Sequence, residues 1–250
     1  MARSGTPRIL VSGGDGTLAS AAGAFVETPA EMGILPGGTL NHFAKRIGLP
    51  EDRSEALDVA ADGSATEQDV GKLNEQVFLN TSSIGAYVLF VRTRDHLEKK
   101  FRLPYYIASF FAGIRMLAGL GTVRIQLDVD GKRTEYETPL LYIGVGEREI
   151  KGKSVGQPKE GGQRGLHIMV VHGSARARLL ALSLASAARG HGISRSPHVD
   201  SFLVDSCRIE LAGGKWTVAL DGELKEIESP LEYSLERDAL KVVSAGSTAR

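Results

Sequence analysis

Short apolar runs that alternate with helical patterns open the chain. Residues 8–12 form an apolar run that ends in a glycine-rich turn, and residues 18–25 follow with a helical pattern. Residues 32–35 form a second run, which leads through another glycine turn into a predicted helix at about 40–47. A further helix is predicted at 54–61, with acidic residues near its start. Strand–turn–helix units in this order are typical of a parallel α/β sheet.

From about residue 69 the pattern changes to short strands. One hairpin is predicted around Asn74–Glu75, between two short strand patterns, and another around Asp130–Gly131, because Asp-Gly between alternating strands is a strong hairpin signal. The predicted strands lie at 69–73, 76–81, 123–129, 134–145, 166–172, 201–211, 216–221 and 231–235, and helices are predicted within 103–123 and at about 175–189. The pattern therefore predicts two unequal domains, an α/β domain over 1–68 and a mostly antiparallel β domain over 69–250.

Composition narrows the function classes. The chain of 250 residues has 30 Lys plus Arg and 30 Asp plus Glu, so its formal net charge is zero and no nucleic-acid partner is expected. The single cysteine, Cys207, excludes an internal disulfide framework and disfavours a cysteine-based zinc site. No leader-like apolar stretch follows Met1, and Arg115 interrupts the apolar segment 103–123, so a cytoplasmic protein is expected.

Two glycine turns carry candidate chemistry. Residues 13–17 read Gly-Gly-Asp-Gly-Thr, and residues 36–41 read Pro-Gly-Gly-Thr-Leu-Asn. Glycines after a strand let backbone N–H groups approach phosphate oxygens, and a following helix N-terminus favours the same anion. Asp15 would repel bare phosphate, so it suggests a metal, a lysine or a hydroxyl positioned there; a tight turn capped by Asp15 is the alternative. Two such turns on neighbouring parallel strands would share the edge where open α/β sheets bind ligands.

The segment Asp221-Gly222-Glu223 follows the predicted strand 216–221. By itself Asp-Gly is first of all a hairpin turn, and that interpretation outweighs a catalytic one. The basic residues Lys99, Lys100 and Arg102 lie beside the apolar helix and could meet an acidic lipid surface, although a solvated helix end is the simpler interpretation.

Taken together, four motifs resemble the bacterial diacylglycerol kinase catalytic-domain family, which includes bacterial lipid kinases and is akin to sphingosine kinases. They are GGDGT at 13–17, GILPGGTLNHFAKRIGLP at 33–50, FLNTSSIGAY at 78–87 and VALDGELKEIESPLEYSL at 218–235. The similarity extends from about residue 8 to residue 244. GGDGT alone would also fit NAD kinases and phosphofructokinase-like enzymes, but the combination is specific.

The resemblance implies a fold and a reaction. The fold would be an α/β nucleotide domain with an incomplete parallel sheet, followed by a mostly antiparallel, β-sandwich-like domain with a few helices, the active site lying in the cleft between them. The reaction would be transfer of the ATP γ-phosphoryl group to a lipid hydroxyl, with Mg²⁺. ATP and a diacylglycerol-like alcohol, either free or at the inner face of the membrane, would be the partners, and an unpaired sheet edge would suit a homodimer.

The resemblance also implies roles for individual residues. The ATP phosphates would lie along Gly13, Gly14, Gly16 and Thr17, and the nucleotide site would be completed by Gly38, Thr39 and Asn41. Asp15 would organise the reacting groups, while Asp221, with Glu223 beside it, would be the candidate base or metal partner. No residue is assigned as a metal ligand beyond these candidates. Such a set suits phosphoryl transfer, where catalysis is mainly positioning and charge neutralisation.

Three departures from the family pattern bear on catalysis. Only twelve residues precede Gly13, so the resemblance predicts a chain truncated at its amino terminus, or a start codon assigned too far downstream. Gln163-Arg164-Gly165 stands where the family has an acidic pair tied to a structural metal, and Val145-Gly146 stands where many relatives have an Asn pair. His42 replaces a commoner Asp. The short amino terminus and the loss of the acidic pair favour, as an alternative to a lipid kinase, a catalytically silent paralogue that binds lipid or a partner. An NAD kinase-like enzyme is a further alternative, which the GGDGT motif alone would fit, but the NHFAKRIGLP and DGE segments resemble the lipid enzymes and disfavour it.

Overall fold

The computed structural model describes residues 7–119, 121–148, 159, 161–172 and 199–244. The chain divides into two compact units, unit 1 with Met1–Asn80 and Leu235–Arg250 and unit 2 with Thr81–Ser234. The sequence places the break between residues 68 and 69 instead. The difference arises because the hairpin that follows residue 63 pairs with the carboxyl-terminal strand, whose later residues belong to unit 1.

Unit 1 is built from alternating strands and helices. Its elements are β1 (Arg8–Gly13), α1 (Asp15–Ala22), β2 (Glu31–Pro36), α2 (His42–Arg46), α3 (Arg53–Asp62), β3 (Ser64–Leu73), β4 (Gln76–Phe78) and the later residues of β14 (Leu231–Ser244). Strand β1 pairs in parallel with β2, and β2 pairs in parallel with β14 through Met32 and Val242. The predicted hairpin around Asn74–Glu75 is present as β3 and β4.

The core of unit 1 lies between this sheet and its helices. Apolar side chains from α1, β2, α2 and β14 form one buried cluster, which includes Leu18, Met32, Ile34, Phe43 and Val242. Each of these five side chains is fully buried. Burial of that kind stabilises a domain by roughly 1.5–3 kcal/mol per side chain before the entropy cost of ordering it.

Arg8 links β1 to β2 and to the end of α3 through its guanidinium. Its guanidinium forms a salt bridge with Glu31 at 2.7 Å, across the parallel pair β1–β2. The same group donates to the carbonyl oxygens of Ala61, at 2.6 Å, and Gly63, at 3.1 Å, at the end of α3. A cation is favoured there because a helix C-terminus carries partial negative charge.

Unit 2 contains two antiparallel sheets and a helical hairpin. Its elements are β5 (Thr81–Gly85), α4 (Ala86–Phe101), α5 (Tyr105–Ala118), β6 (Val123–Val129), β7 (Lys132–Thr138), β8 (Leu140–Val145), β9 (Leu166–Val171), β10 (Val199–Val204), β11 (Ser206–Leu211), β12 (Lys215–Leu220), β13 (Glu223–Glu228) and the first residues of β14. One sheet has the order β10-β9-β8-β5-β12-β13, and in the other β11 pairs with both β6 and β14, while β6 also pairs with β7.

Polar contacts join the two sheets of unit 2. The buried hydroxyls of Ser82, on β5, and Tyr233, on β14, are 2.8 Å apart. Tyr136, on β7, donates to the carboxylate of Asp200, on β10, also at 2.8 Å. These contacts connect strands of one sheet to strands of the other within unit 2. The predicted fold class, an α/β part and a mostly antiparallel part with a few helices, is confirmed.

Several predicted element boundaries are wrong. The run 134–145 is two strands that separate at Pro139 into different sheets, and the run 201–211 separates in the same way at Asp205. Helix α4 and strand β13 are absent from the sequence prediction. The helix predicted at 175–189 lies outside the described residues. No helix in the described part of the chain combines the length and apolar character needed to cross a membrane.

Candidate functional site

The two glycine turns of unit 1 lie against each other. Their strands run side by side with Gly13 opposite Pro36, and the Gly37 N–H donates to the Gly13 carbonyl oxygen at 2.9 Å. A Cβ placed on Gly38 would lie only 2.5 Å from the Gly14 Cα, so the backbones approach more closely than any side chain allows. Packing between the turns therefore already requires glycine at 38. The structure brings the two predicted loops together at one sheet edge.

Asn41 closes the second turn. Its side-chain oxygen accepts from the Gly38 N–H at 2.8 Å, and its side-chain nitrogen donates to the Gly38 carbonyl oxygen at 2.9 Å. The residue adopts a left-handed conformation, with φ of 50°, which asparagine tolerates better than most residues. Its carboxamide thus shapes the turn, while the neighbouring Thr39 is exposed to solvent.

Asp15 joins the first turn to α2. Its carboxylate oxygens accept from the backbone N–H of His42 at 3.0 Å and of Phe43 at 2.8 Å. These are N–H groups of the first turn of α2, which a helix leaves without internal partners. Because the His42 contact is made by backbone, the exchange of Asp for His at this position leaves it intact. Asp15 therefore fixes the position of α2 relative to the glycine turns.

The start of α1 carries the features of an anion site. Gly14 is the N-cap in an extended conformation, and no described side chain caps the helix there. Asp15, Gly16 and Thr17 form the first turn, and the Thr17 side chain is exposed and lies over Gly13. N–H groups and the helix dipole at such a terminus favour a phosphate oxygen. The arrangement can hold the phosphates of a nucleotide.

In unit 2, Asp221 and Gly222 form the two-residue turn between β12 and β13. Their φ angles are 47° and 84°, the left-handed pair that a tight hairpin requires, and Leu220 faces Glu223 across it. The hairpin interpretation of this segment is confirmed. Asp221 also pairs with the start of β5, because its carboxylate accepts from the Thr81 N–H and its own N–H donates to the Thr81 carbonyl oxygen, both at 2.8 Å.

Glu223, the first residue of β13, is half-buried beside Asp221. Its carboxylate lies 3.4 Å from the Lys225 ammonium. The acidic residues predicted around the DGE turn thus both lie in unit 2, whereas Asp15 and the predicted nucleotide-binding residues lie in unit 1.

Arg148 is a charged residue near Asp221 that sequence reasoning missed. It is 3% exposed, and it lies across Gly144, where a Cβ would be 2.6 Å from its Nε. Burial lowers the pKa of Arg148, while the negative charge of Asp221 acts in the opposite direction. Burial likewise raises the pKa of Tyr142 to about 12, so its hydroxyl is protonated at neutral pH. A lone arginine belongs to no motif with a recognisable spacing, so the sequence alone does not predict that Arg148 is buried near Asp221.

His167 supports the backbone of Arg148. Its Nδ1 accepts from the Arg148 N–H at 2.8 Å, and its Nε2 lies 2.7 Å from the Ser201 hydroxyl. Since Nδ1 accepts, the proton of the neutral ring is on Nε2 and is donated to Ser201. Burial lowers the pKa of His167, which favours this neutral form.

Glu147 organises the turn at Gln163. Its carboxylate accepts from the Lys159 ammonium at 2.6 Å and from the Gln163 N–H at 3.0 Å, and the hydrogen bond from Lys159 lowers the pKa of Glu147. Within the described ranges, no group of three or more His, Cys, Asp or Glu side chains is placed to hold a metal ion.

Part of the chain is similar in sequence to known diacylglycerol kinases. Residues 1–73 match the family model of the diacylglycerol kinase catalytic domain. A diacylglycerol kinase of Staphylococcus carnosus (strain TM300) is 30% identical over 139 residues, which cover 55% of this chain and 45% of that protein. The diacylglycerol kinase of Staphylococcus aureus (strain JH9) is also 30% identical over 139 residues, or 55% of this chain and 44% of that protein. The matches thus span less than half the length of these relatives.

Solved structures extend the likeness to almost the whole chain. A crystal structure of a diacylglycerol kinase from Bacillus anthracis str. Sterne superposes with a TM-score of 0.65 at 22% identity, covering 95% of this chain and 76% of that one. Another from the same organism gives a TM-score of 0.72 at 24% identity, covering 95% and 78%. These structures share the fold of this chain. In sequence, residues 1–73 match the diacylglycerol kinase catalytic domain, the family that the motifs of this segment resemble.

Proposed function

We propose that the protein is an ATP-dependent lipid kinase that transfers the γ-phosphoryl group to a hydroxyl of a diacylglycerol-like lipid. The observation that carries the proposal is the pair of glycine turns, packed backbone to backbone at the carboxyl ends of two parallel strands beside the open N-terminus of α1. The family model that matches this part of the chain favours a lipid kinase over the NAD kinase-like alternative.

ATP fits the residues of this edge. Gly13, Gly14, Gly16 and Thr17 would meet its phosphates through backbone N–H groups and the α1 dipole. The remaining proposed nucleotide-binding residues belong to the second turn: Gly38, Thr39 and Asn41. The Asn41 carboxamide accepts from the Gly38 N–H and donates to the Gly38 carbonyl oxygen, so we propose that Asn41 acts by holding the second turn in shape.

Mg²⁺ would come with the nucleotide, because this ion is usually bound through phosphates and one or two carboxylates. Asp15 is the carboxylate of unit 1 that lies at the proposed phosphate site. Its two oxygens accept one backbone N–H each, and a carboxylate has about four lone-pair positions, so it retains acceptor capacity. The ion would neutralise charge on the transferring group.

In the reaction, the lipid hydroxyl oxygen forms a bond to the γ-phosphorus while the bond from that phosphorus to the β,γ-bridging oxygen breaks. ADP leaves with the electron pair, and the hydroxyl proton goes to a carboxylate. We assign the proton or the metal contact to Asp221, with Glu223 beside it, and the organisation of the nucleotide end to Asp15. Positioning and charge neutralisation are the main contributions that such a reaction needs.

A silent, binding-only protein is the second candidate, and a specific observation favours it. Both candidate catalytic aspartates already serve the fold, Asp15 at the start of α2 and Asp221 at the start of β5. Residues retained for those contacts would persist without turnover. If the chain binds ATP but transfers no phosphate to lipid, the binding-only function is supported.

The partners that we propose are ATP and the lipid acceptor, with no nucleic acid. A homodimer contact is proposed at β1, which in the described sheet pairs on one side with β2 and leaves Ile9 and Leu10 about half exposed. Such an edge invites pairing with another strand. Light scattering of the purified chain measures its mass directly, and a monomeric mass rejects this contact.

The experiment that tests the proposed function places a negative charge at the start of α1. Thr17→Glu suits the third position of a helix, so the fold is kept, but its carboxylate would face the phosphates. We expect ATP affinity, measured by calorimetry with Mg²⁺, to fall about tenfold or more. Transfer of labelled γ-phosphate to diacylglycerol in mixed micelles should fall with it.

Ser20→Glu is the matched control, with the same charge change at an exposed position of the same helix. It lies about 4.5 Å further along the helix axis, beyond the first turn whose N–H groups would meet the phosphates, and its ATP affinity should stay within about threefold of the parent. Equal ATP affinity in Thr17→Glu and the parent would show that the nucleotide does not bind at the start of α1. A parent that binds no ATP would reject the kinase altogether.

A further inference from the structure

Helix α5 buries small apolar residues and exposes large ones, whereas a helix of a folded domain ordinarily buries its large apolar residues. Ala108 and Ala112, one turn apart, are fully buried, while Tyr106 is 69% and Phe110 is 66% exposed. The exposed large side chains continue as a stripe along the helix, at positions i, i+1, i+4, i+5 and i+8: Tyr106, Ile107, Phe110, Phe111 and Ile114. A helix of an ordinary protein surface presents polar residues there. This stripe is thus a contiguous apolar surface that the described part of the chain leaves exposed.

Cations surround the stripe. Lys99, Lys100 and Arg102 are exposed where α4 ends and the chain turns into α5, and Arg115 is exposed on α5 beside Ile114. No aspartate or glutamate occurs from residue 99 to residue 127. The apolar stripe with these four basic residues is named the α5 face. It combines aromatic and aliphatic side chains with charge of one sign, in a chain whose net charge is zero.

We propose that the α5 face docks on the surface of an anionic phospholipid bilayer. Amphipathic helices that lie in the interface bury Trp, Phe and Leu at the boundary of the acyl chains and place Lys and Arg among the headgroups. The fourteen residues of α5 extend about 21 Å, which is short of the ~30 Å hydrocarbon core, so the helix lies along the surface. Tyr106 suits the headgroup level, where aromatic rings with a polar tip accumulate.

Charge favours a membrane over a second copy of this chain. In a symmetric dimer the same patch meets itself, so the basic residues around one α5 face would lie near those of the other. An anionic bilayer instead offers opposite charge and an apolar layer beneath it, in the order in which the α5 face presents its own groups. Juxtamembrane basic residues contribute to such binding when anionic lipid is present.

The inference complements the proposed function, because a kinase that acts on a lipid alcohol must reach a bilayer, and to that extent it rests on the lipid acceptor proposed above. Docking needs neither ATP nor turnover. Vesicle binding is therefore measured separately from phosphoryl transfer, and either can fail while the other stands.

The test is sedimentation of the purified full chain with vesicles of phosphatidylcholine alone or with 30 mol% phosphatidylglycerol, at about 0.1 M salt. We expect the parent to bind the anionic vesicles at least about tenfold more tightly than the neutral ones. Phe110→Ser combined with Phe111→Ser should lower binding to anionic vesicles about tenfold or more. Lys99→Gln combined with Lys100→Gln should lower it by a similar factor and leave the weak binding to neutral vesicles unchanged.

Leu57→Ser is the matched control, since Leu57 is an exposed apolar residue of α3 in unit 1, and it should bind vesicles as the parent does. Thermal unfolding of each variant establishes that it is folded. Equal binding of the parent to neutral and anionic vesicles, or equal binding by the Phe110 and Phe111 variant, would overturn the proposal. A parent that light scattering shows to be a dimer, and that the same variant converts to a monomer, would assign the α5 face to self-association instead.

Discussion

At the scale of single residues, both candidate catalytic aspartates bind backbone N–H groups. Asp15 accepts from His42 and Phe43, and Asp221 accepts from Thr81. Replacing either by alanine would remove a structural contact together with a carboxylate, so a loss of activity would have two explanations. Asparagine keeps one side-chain oxygen acceptor and removes the charge, and therefore separates the two roles.

We expect Asp221→Asn to retain the fold and to lose turnover. Asparagine adopts the left-handed conformation at this turn at least as readily as aspartate, and its oxygen can accept from the Thr81 N–H, so the free energy of unfolding should change by less than about 0.5 kcal/mol. If Asp221 takes the proton or contacts the metal, kcat should fall about 10²–10⁴-fold while ATP affinity holds. Lipid phosphorylation and calorimetry measure the two quantities.

Asp130→Asn supplies the control for this substitution. Asp130 and Gly131 form the corresponding turn between β6 and β7, with φ angles of 52° and 77°, in the same unit. The same exchange of residues in the same turn geometry should leave both stability and turnover at the parent level. A kcat for Asp221→Asn equal to that of Asp130→Asn would leave the DGE segment with a structural role alone.

At the scale of elements, helices α4 and α5 pack through small side chains. Ala108 and Ala112 are fully buried on the side of α5 that meets α4, and the Arg94 guanidinium of α4 lies 5.5 Å from the Tyr105 ring centroid at the start of α5. Close packing of this kind leaves no room for a larger residue. The stability of the hairpin therefore depends on its alanines more than on its exposed aromatic rings.

Ala112→Leu should accordingly destabilise unit 2, by about 1–3 kcal/mol, because three further carbon atoms must enter a filled space. Urea unfolding measures the change. Ala118→Leu, at an exposed position of the same helix, should alter the free energy of unfolding by less than about 0.5 kcal/mol. If the two substitutions prove equally mild, the interface between α4 and α5 is looser than the structure indicates.

The sequence predicts elements well where a local signal marks both ends. Strand β1 and the hairpin turns at Asn74–Glu75 and Asp130–Gly131 are marked by glycines or turn residues, and the structure has the strand and both turns where the sequence predicts them. The run 134–145 fails because alternation gives the length of a strand but does not say which sheet it joins. At Pro139 the chain passes from β7 into β8, and only tertiary pairing distinguishes them.

The residues of the candidate site likewise fall into those that a local signal predicts and those that depend on tertiary contacts. The glycine turns after β1 and β2 were predictable, because their spacing and the preceding strands are local. The contact of Asp15 with α2 was not, since its partners are 27 and 28 residues away and depend on where α2 comes to lie. Arg148 was equally hidden, because its interest comes from burial and from neighbours on other strands.

At the scale of the whole molecule, balanced charge removes net self-repulsion near neutral pH, so the response to acid depends on individual groups. Burial lowers the pKa of His167, and a hydrogen bond from Lys159 lowers that of Glu147. A group whose pKa is lower in the folded chain than in the unfolded one contributes stability that is lost as pH falls. For the histidine this loss starts near pH 6.5, and for the carboxylate it starts near pH 4.5.

We therefore expect the free energy of unfolding to be nearly constant between about pH 7 and 8 and to decline below about pH 6.5, well before carboxylates titrate. His167→Asn should decline less between pH 7 and 5.5, because its side-chain oxygen can accept from the Arg148 N–H without titrating, although its stability at pH 7 should be lower. Urea titrations at half-unit pH steps measure both slopes. Parallel curves for the two proteins would assign the loss to other groups.

Unit 1 can complete its fold only after unit 2 has been synthesised, because the later residues of β14 belong to unit 1 and follow unit 2 in the chain. Met32 pairs with Val242, and the buried side chains of Leu240 and Val242 complete the cluster around Leu18 and Phe43. During synthesis, α1, β1 and β2 leave the ribosome long before that strand exists, and at ~5–20 residues per second the intervening unit 2 takes on the order of ten seconds or more to translate. Through that interval one side of β2 has no β14 to pair with and part of its apolar cluster is missing. The amino-terminal segment is thus the stretch of the nascent chain that most needs protection by chaperones, and unit 2, whose residues are contiguous, is the part that can fold first.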